Sequence, residues 1–408
     1  MKYDLVFEGG GAKGMVFVGA MEEFFNRKHS AGRLLGTSAG AITAVLLAAG
    51  YTSAKMLEAL NEKENDRSVF TGFMGDPEPF TKEEIKNSAT RDVLTNIDLK
   101  FMPGFLEGSM DDALARWLAD NSRSRHFVAF IERGGWFSAA RFVSWLQAKL
   151  DTDPATGLRR VYSQMSLKQF FEATGVELSV VAADTTDGRL LVLNHRTAPD
   201  CPVVWAVRMS MSIPLVWDEV VWKEGWGGYL GRPMAGHVIV DGGMLSNFPI
   251  ELFISDEPQV VRLMGPKQDN PVIGLLIDES LAVPAKKGIL VDINIKPGEL
   301  KTVQRLKHLV DTMTGAHDKM VIEEYEHLVV RLPAAGYGTT EFDMSDERRN
   351  ALVGAGRDTM GVYLDSHPAK KAGPPRGAGT RTAKGKGAKS VKRVKTSADR
   401  IAGRLLRL

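Results

Sequence analysis

Two short apolar runs near the start of the chain each end in a glycine-dense turn, and each turn leads into a stretch with helical spacing. The run "YDLVF" (3–7) precedes the turn "EGGGAKG" (8–14), and "RLL" (33–35) precedes the turn "GTSAG" (36–40). Apolar residues then recur at helical spacing in each following stretch. Alternation of strand and helix builds βαβ units, whose strands are parallel. The sequence therefore predicts an α/β fold with a mainly parallel sheet covered on its faces.

Residues 64–175 interrupt this alternation and are rich in aromatic residues and methionine. Helical spacing occurs in parts of the segment, so we predict a mostly helical insertion or cap within one folded domain over residues 1–365. Its aromatic stretches either form its own core or line a cap over a site. They lie at 70–80, 101–110 and 126–145. Strand patterns resume over 176–194, 205–217, 237–253, 272–279 and 327–333, and helical patterns cover 300–315 and 345–366.

The C-terminal tail, residues 366–408, differs from the rest of the chain in charge and composition. It holds thirteen Lys and Arg residues and one acid, so it carries +12 whereas the remainder carries −10. Its Lys, Gly, Ala, Pro and Thr cannot bury a core, which predicts a disordered segment. The last stretch, "SADRIAGRLLRL", interleaves arginine with apolar residues and suits a short amphipathic helix.

The tail has three candidate partners that the sequence leaves open. Residues 367–408 suit an anionic membrane surface, to which each basic residue contributes about 1 kcal/mol. The same Lys-rich arm also suits nucleic acid, bound through phosphates without sequence specificity, or an acidic protein. Of these, the membrane surface is the interpretation that we favour.

The chain shows no sign of secretion or of a membrane span. Its start passes from one lysine into a strand-like run, without the apolar stretch and cleavage site of a signal peptide. The longest apolar run, 41–51, is too short for a bilayer, which needs about 20 residues. A single cysteine, Cys201, excludes an internal disulfide. We expect a protein that is cytoplasmic, or delivered without a Sec-type signal, and peripherally associated with membranes.

The first glycine turn contains the pattern G-x-G-x-x-G, at Gly9, Gly11 and Gly14, which raises the question of a nucleotide site. A dinucleotide site also needs an acidic residue at the end of the second strand, about 20 residues on, and "LLGTSAG" has none. A P-loop needs Lys after its last glycine and then Ser or Thr, whereas Lys13 precedes Gly14. Neither nucleotide interpretation fits.

The second turn is a G-x-S-x-G motif with Ser38 at its centre, between Gly36 and Gly40. Such a turn between a strand and a helix presents the serine as a nucleophile. The alternative is an ordinary helix N-cap. The glycine turn nearby supplies bare backbone N–H donors, and acyl transfer requires both a nucleophile and such donors. Together the two turns favour a hydrolase.

A serine nucleophile needs a base, and none of the eight histidines lies in a setting typical of a catalytic histidine. Asp241 instead ends the apolar run "VIV" and is followed by two glycines. A carboxylate at the end of a buried strand is unfavourable without a partner. Asp241 is therefore either the base or the start of an Asx turn. Asp184, which begins "DTTDG", is more typical of a turn.

Three motifs in order, "GGGAKG" (9–14), "GTSAG" (36–40) and "DGG" (241–243), resemble those of the patatin-like phospholipase family. "RMSMSIPLVW" (208–217) is similar to the family's stretch ahead of its aspartate strand. The resemblance covers about residues 3–60 and 176–255. It implies a three-layer α/β/α patatin-like fold and a Ser–Asp dyad, with no metal or other cofactor.

Carried to this sequence, the resemblance implies that Ser38 is the nucleophile and Asp241 the general base. It places the oxyanion hole at the backbone amides of Gly9, Gly10, Gly11 and Ala39. The resemblance also gives a supporting role to the other residues of the elbow and the motifs, Gly14, Gly36, Gly40, Gly242, Gly243 and Lys13. Lys13 either orients the glycine loop or meets a lipid phosphate, and the alternative is a solvated lysine at a helix start.

The function implied is a serine lipid acyl hydrolase that cleaves carboxylic esters of phospholipids or lysophospholipids through an acyl-enzyme. The alternative is a binding or assembly scaffold on the same fold, with weak or partner-gated activity. An activating partner or a homo-oligomer is compatible with both.

Overall fold

A computed structural model of the chain describes residues 1–64, 67–90, 122–284 and 322–367. Its strands are β1 (Lys2–Phe7), β2 (Ser30–Thr37), β3 (Lys63–Glu64), β4 (Arg67–Ser68), β5 (Gly135–Phe137), β6 (Leu178–Asp184), β7 (Arg189–Leu193), β8 (Leu215–Trp217), β9 (Val220–Val221), β10 (Gly228–Tyr229), β11 (Arg232–Pro233), β12 (Val238–Asp241), β13 (Val272–Ala282) and β14 (Val329–Ala335).

The central sheet has eight strands within the described ranges. Seven follow the order β14-β13-β1-β2-β6-β12-β9, and β7 pairs with β6. The five strands from β14 to β6 are parallel to one another, whereas β7, β9 and β12 join antiparallel. Every residue of β6 is buried, so both of its faces are covered. The predicted three-layer α/β/α fold with a mainly parallel sheet is confirmed.

The α-helices lie between the strands along the chain, except that the last helix follows the last strand. The α-helices are α1 (Val16–Asn26), α2 (Ala39–Ala48), α3 (Ser53–Leu60), α4 (Lys82–Lys86), α5 (Ser122–Glu132), α6 (Ala140–Leu150), α7 (Leu167–Thr174), α8 (Val203–Ser210), α9 (Glu251–Ile254), α10 (Pro258–Met264) and α11 (Asp346–Ser366). Short 3₁₀ helices cover Gly11–Met15, Val69–Phe73, Tyr162–Gln164, Glu224–Trp226, Gly242–Met244 and Glu326–Leu328. None of the helices in the described part of the chain has the length and apolar character needed to cross a membrane.

The first and last helices of the described chain, α1 and α11, pack closely through glycine. A Cβ atom at Gly19 would lie 1.7 Å from the carbonyl oxygen of Val353, and one at Gly356 would lie 2.1 Å from that of Val16. Ser345 caps α11 by accepting a hydrogen bond from the Arg348 amide. The helical pattern over 345–366 is thereby confirmed.

Several aromatic residues of the insertion form buried core, whereas Phe127 is 55% exposed. Phe70, Phe73, Phe142 and Trp145 form one cluster with ring centroids 4.8 to 6.3 Å apart. The cluster joins the main body, because the indole N–H of Trp217 donates to the Phe73 carbonyl at 2.8 Å. The predicted segment at 101–110, the helix at 300–315 and the tail after residue 367 lie outside the described residues.

The strand pattern predicted over 205–217 is wrong for most of its length. Val203–Ser210 is a helix that begins after Pro202, and only Leu215–Trp217 is a strand. A short, continuous apolar run does not distinguish a buried strand from a buried helix. The error matters because this helix ends beside the second glycine turn, as described below.

Candidate active site

The two glycine turns meet because they follow neighbouring parallel strands. β1 and β2 pair with Phe7 opposite Gly36, so the residues after each strand leave the sheet side by side. The contact is tight: a Cβ atom at Gly40 would lie 2.2 Å from the Phe7 carbonyl oxygen. Any side chain at this position would push the turns apart, which explains the glycine there.

Ser38 lies at the sharp corner between β2 and α2. Its backbone angles, φ +52° and ψ −119°, are sparsely populated by residues with a side chain. Its amide donates to Ser210 Oγ at 2.9 Å, and that hydroxyl donates to the Val181 carbonyl at 2.6 Å. The Ser38 side chain makes no capping hydrogen bond to α2. The N-cap alternative is therefore wrong, and the corner has the strain of a nucleophile elbow.

Asp241 ends β12 at the level of this corner. It pairs with Ala182 of β6, while the preceding residue of β6, Val181, pairs with Thr37 of β2. Its Oδ1 accepts a hydrogen bond from the Gly243 amide at 2.7 Å, as in an Asx turn. Its buried Oδ2 has no hydrogen-bond partner among the described residues. One oxygen therefore holds the turn, and the other does not take part in it.

Burial raises the pKa of Asp241 to about 7, against smaller lowering effects from the Ser38 hydroxyl and the Gly243 amide. Desolvation disfavours the charged carboxylate more than the Gly243 hydrogen bond and the nearby Ser38 hydroxyl stabilise it. A general base is most effective when its pKa lies near the working pH. Asp241 is therefore suited to accept a proton near neutral pH.

The first glycine turn offers backbone N–H groups beside Ser38. The Gly9 amide donates to the Asn247 carbonyl at 3.3 Å, which leaves Gly10 and Gly11 as the turn's open donors within the described ranges. Gly11 has φ +55°, and a Cβ atom there would lie 2.1 Å from the Thr339 carbonyl oxygen. Glycine is thus required by both conformation and space. Ala39, the first residue of α2, adds an amide that lies in the first turn of that helix.

The other predicted glycines are explained by close packing. A Cβ atom at Gly14 would lie 2.6 Å from that of Ala39, and one at Gly36 would lie 2.3 Å from the Gly40 carbonyl oxygen. A Cβ atom at Gly242 would lie 2.5 Å from the Val181 carbonyl oxygen, and one at Gly243 would lie 3.0 Å from Asn247 Oδ1. These positions bring the elbow, the glycine turn and the aspartate strand into contact.

Lys13 is buried, with 4% of its surface exposed, and its ammonium forms an ion pair with Glu279 of β13. The interpretation of Lys13 as a solvated lysine is wrong. Both side chains line a cleft of about 120 Å³ that also contains Ser38, Asp241 and Gly10. The sequence prediction missed Glu279, because an acidic residue near the end of a strand carries no local signal.

A second, apolar cavity of about 70 Å³ shares Ser38 and Gly11 with this cleft. Its walls include Phe70, Phe73, Trp145 and Trp217. These aromatic residues of the insertion therefore belong to the core and also line a cavity at Ser38. The two sequence interpretations, core and lining of a site, are compatible. Within the described ranges, neither cavity has a histidine in its lining.

Three further residues hold the site without a sequence signal of their own. Ser210, at the end of α8, binds the Ser38 amide. Asn247 donates from Nδ2 to the Gly9 carbonyl at 2.9 Å and accepts the Gly9 amide with its own carbonyl. Thr339, after β14, accepts the Ala12 amide at 2.8 Å. Each lies far along the chain from the turn that it fixes.

Asp184, Asp187 and His237 are grouped closely enough to suggest a metal ion, with candidate ligand atoms within 4.8 Å. Asp184 Oδ2, however, already binds Arg189 Nε at 3.1 Å and His237 Nδ1 at 3.0 Å, and its Oδ1 accepts two turn amides. The group is an ion-paired turn, as predicted for Asp184, and it does not line the cleft.

The chain is similar to known proteins in sequence and in structure. A sequence model described as patatin-like phospholipase matches residues 5–254. The uncharacterized protein YqhO of Bacillus subtilis (strain 168) is 26% identical over 371 residues, covering 89% of this chain and 98% of that protein. The probable lipid hydrolase 463L of Invertebrate iridescent virus 6 is 20% identical over 250 residues, covering 61% of this chain and 62% of that protein. The solved structure of VipD from Legionella pneumophila is 17% identical with a TM-score of 0.43, covering 90% of this chain and 67% of that one.

Proposed function

The chain belongs to the patatin-like phospholipase family, and from this premise we propose that it is a serine lipid acyl hydrolase. Its substrates are carboxylic esters of phospholipids or lysophospholipids. One observation carries the proposal: a strained Ser38 and a buried Asp241 with an unpaired oxygen line the same cleft as the Gly10 and Gly11 turn.

In the proposed first step, Ser38 Oγ attacks the ester carbonyl carbon while Asp241 accepts its proton. The carbonyl oxygen becomes an oxyanion that accepts hydrogen bonds from the amides of Gly10, Gly11 and Ala39. When the tetrahedral intermediate collapses, Asp241 returns the proton to the departing alcohol oxygen. The acyl group remains on Ser38.

In the second step, Asp241 removes a proton from water, which attacks the acyl carbon. Collapse of this intermediate releases the fatty acid and returns the proton to Ser38. The unpaired Oδ2 and the pKa near 7 support Asp241 in both steps, because the group gains and loses a proton near neutral pH.

The apolar cavity beside Ser38 is the proposed site of the acyl chain. Its aromatic and aliphatic walls share Ser38 with the polar cleft, which Asp241 and Lys13 line. An ester placed across Ser38 would then direct its acyl chain to the apolar side and its alcohol to the polar side.

The basic tail is proposed to hold the protein at anionic membranes, peripherally and by charge. Residues 367–408 carry all thirteen basic residues of the tail, opposite in sign to the net charge of the body of the chain. Nucleic acid and acidic proteins are the competing ligands of this segment.

Ser38→Ala and Asp241→Asn test the proposal through the products released from labelled phospholipids and lysophospholipids. We expect each variant to lose ester hydrolysis while keeping the far-UV spectrum of the wild type. Labelling by a fluorophosphonate probe adds a direct test of Ser38. Full turnover in either variant would contradict the mechanism, and a wild type that is never labelled would favour the scaffold alternative.

A further inference from the structure

The ion pair between Lys13 and Glu279 is unequal in exposure. The Lys13 side chain is 5% exposed, whereas the Glu279 side chain is 64% exposed. The ammonium is therefore fixed inside the cleft, and the carboxylate reaches it from the mouth. A buried charge needs a partner, because an unpaired charge in the interior is strongly unfavourable. The exposed glutamate loses much less when it swings into water.

Glu279 differs from the other acids of the cleft in its freedom to move. Glu8 accepts hydrogen bonds from the Ile277 amide at 2.5 Å and from Asn247 Nδ2 at 3.2 Å, which hold its carboxylate in place. Asp241 is held by Gly243. Glu279 projects from the exposed end of β13. Among the described acids that line the cleft, it is the one that an incoming anion can displace.

The position of Lys13 places the ammonium near the oxyanion donors. A Cβ atom at Gly10 would lie 3.8 Å from Lys13 Cε, so the lysine stem runs alongside the glycine turn. An anionic group bound by Lys13 would lie a few bonds from an ester carbonyl held at Gly10. A phosphate on the same glycerol unit as the ester has this spacing.

We propose that Lys13 forms a phosphate subsite and that the Glu279 carboxylate fills this subsite in the free protein. Glu279 thereby limits the hydrolysis of anionic esters. A phosphate group that enters must displace the Glu279 carboxylate, whereas an uncharged ester leaves the ion pair intact. The inference rests on the proposed function and adds a residue that sets substrate charge preference. Glu279 lies beyond the stretch 5–254 that matches the family.

The test uses the full chain and two esters with the same acyl group, a neutral monoacylglycerol and an anionic lysophosphatidic acid. The measured quantity is the ratio of their kcat/KM values. For Glu279→Gln we expect this ratio to shift about tenfold toward the anionic ester, since charge-assisted hydrogen bonds discriminate by this order. Glu58→Gln is the matched control: Glu58 is also 64% exposed and pairs with a lysine, Lys55, and it does not line the cleft. Its ratio should equal that of the wild type.

A second arm separates a lipid phosphate from free phosphate and does not depend on turnover. Binding of inorganic phosphate is measured by ³¹P NMR line broadening in the wild type, Glu279→Gln and Lys13→Gln/Glu279→Gln. We expect broadening in Glu279→Gln and its loss in the double variant. Broadening without a shift in the ester ratio would assign the subsite to free phosphate and overturn the substrate role.

The outcomes for this inference and for the proposed function are distinguishable. If neither ester is hydrolysed and Ser38 is not labelled, the proposed function fails, while phosphate binding still reports on the subsite. If hydrolysis is normal but the ratio and phosphate binding are unchanged in Glu279→Gln, the subsite is wrong. If thermal unfolding shows that the double variant is not folded, both measurements are repeated with Glu279→Ala, which leaves Lys13 unchanged.

Discussion

Replacing Asp241 by Asn should make the protein more stable at high pH while it removes activity. The ordinary pKa of this carboxyl group is 3.8, and burial raises it to about 7 in the folded chain. Between about pH 4 and pH 7 the folded chain holds a proton that the unfolded chain has released, so stability falls as pH rises through this window. At 1.36 kcal/mol per pKa unit, the stability lost by pH 8 is about 4 kcal/mol.

Asparagine has nearly the same shape and no proton to lose, so Asp241→Asn escapes this loss. Urea denaturation followed by tryptophan fluorescence, at pH 5 and pH 8, measures the free energy of unfolding of both proteins. The advantage of the variant should grow by about 3 kcal/mol between these two pH values. A constant offset from the contacts of the amide itself would not change with pH. Asp269→Asn, at an exposed position, is the control and should show no growing difference.

The same shift predicts the pH dependence of the wild type. The kcat/KM for a short neutral ester should rise with pH around a midpoint of about 7, because only the deprotonated carboxylate accepts the Ser38 proton. An equal gain in stability at both pH values, together with an activity midpoint near 4, would refute the reasoning. Asp241 would then be an ordinary, solvated carboxylate.

Three further predictions concern the elbow, the glycine turn and the tail. Ser210→Ala leaves the buried Ser38 amide without its acceptor, so we expect a loss of about 1–3 kcal/mol in unfolding free energy. We also expect a lower kcat at similar KM. An unchanged kcat would show that the turn at Ser38 keeps its conformation without Ser210. Gly11→Ala places a Cβ atom against the Thr339 carbonyl at a residue whose φ is +55°. Ester hydrolysis should therefore fall by about a hundredfold or more. Near-normal rates would exclude this turn from the oxyanion hole. Deleting residues 367–408 should weaken binding to anionic vesicles and reduce its salt dependence, with hydrolysis of a short soluble ester nearly unchanged. Vesicle binding equal to that of the full chain, with lost retention on nucleic acid, would favour the nucleic-acid interpretation instead.

The parts of the fold that the sequence predicted depend on local patterns. The glycine turns and the runs before them define β1 and β2, since each feature lies within a few residues of the next. The strand patterns over 272–279 and 327–333 correspond to β13 and β14 for the same reason. The motif at Asp241 is local as well, which is why the sequence brought out both Ser38 and Asp241.

The features that the sequence did not predict depend on contacts between distant segments of the chain. Ser210 reaches Ser38 across 172 residues, and Glu279 reaches Lys13 across 266. No spacing rule connects such pairs. The burial of Lys13 was missed because a lysine at a helix start is usually solvated. The helix at Val203–Ser210 was missed because its surroundings bury it on all sides, which removes the periodic polar face that marks a helix.

The contact between Thr339 and the glycine turn has a consequence for how the protein is made. Thr339 and Phe342 form walls of the polar cleft and the apolar cavity, yet Ser38 is synthesised about three hundred residues earlier. A nascent chain that still holds Thr339 inside the ribosome already contains Ser38 but has an incomplete cleft. During translation, the site is therefore assembled late, after most of the chain has left the exit tunnel.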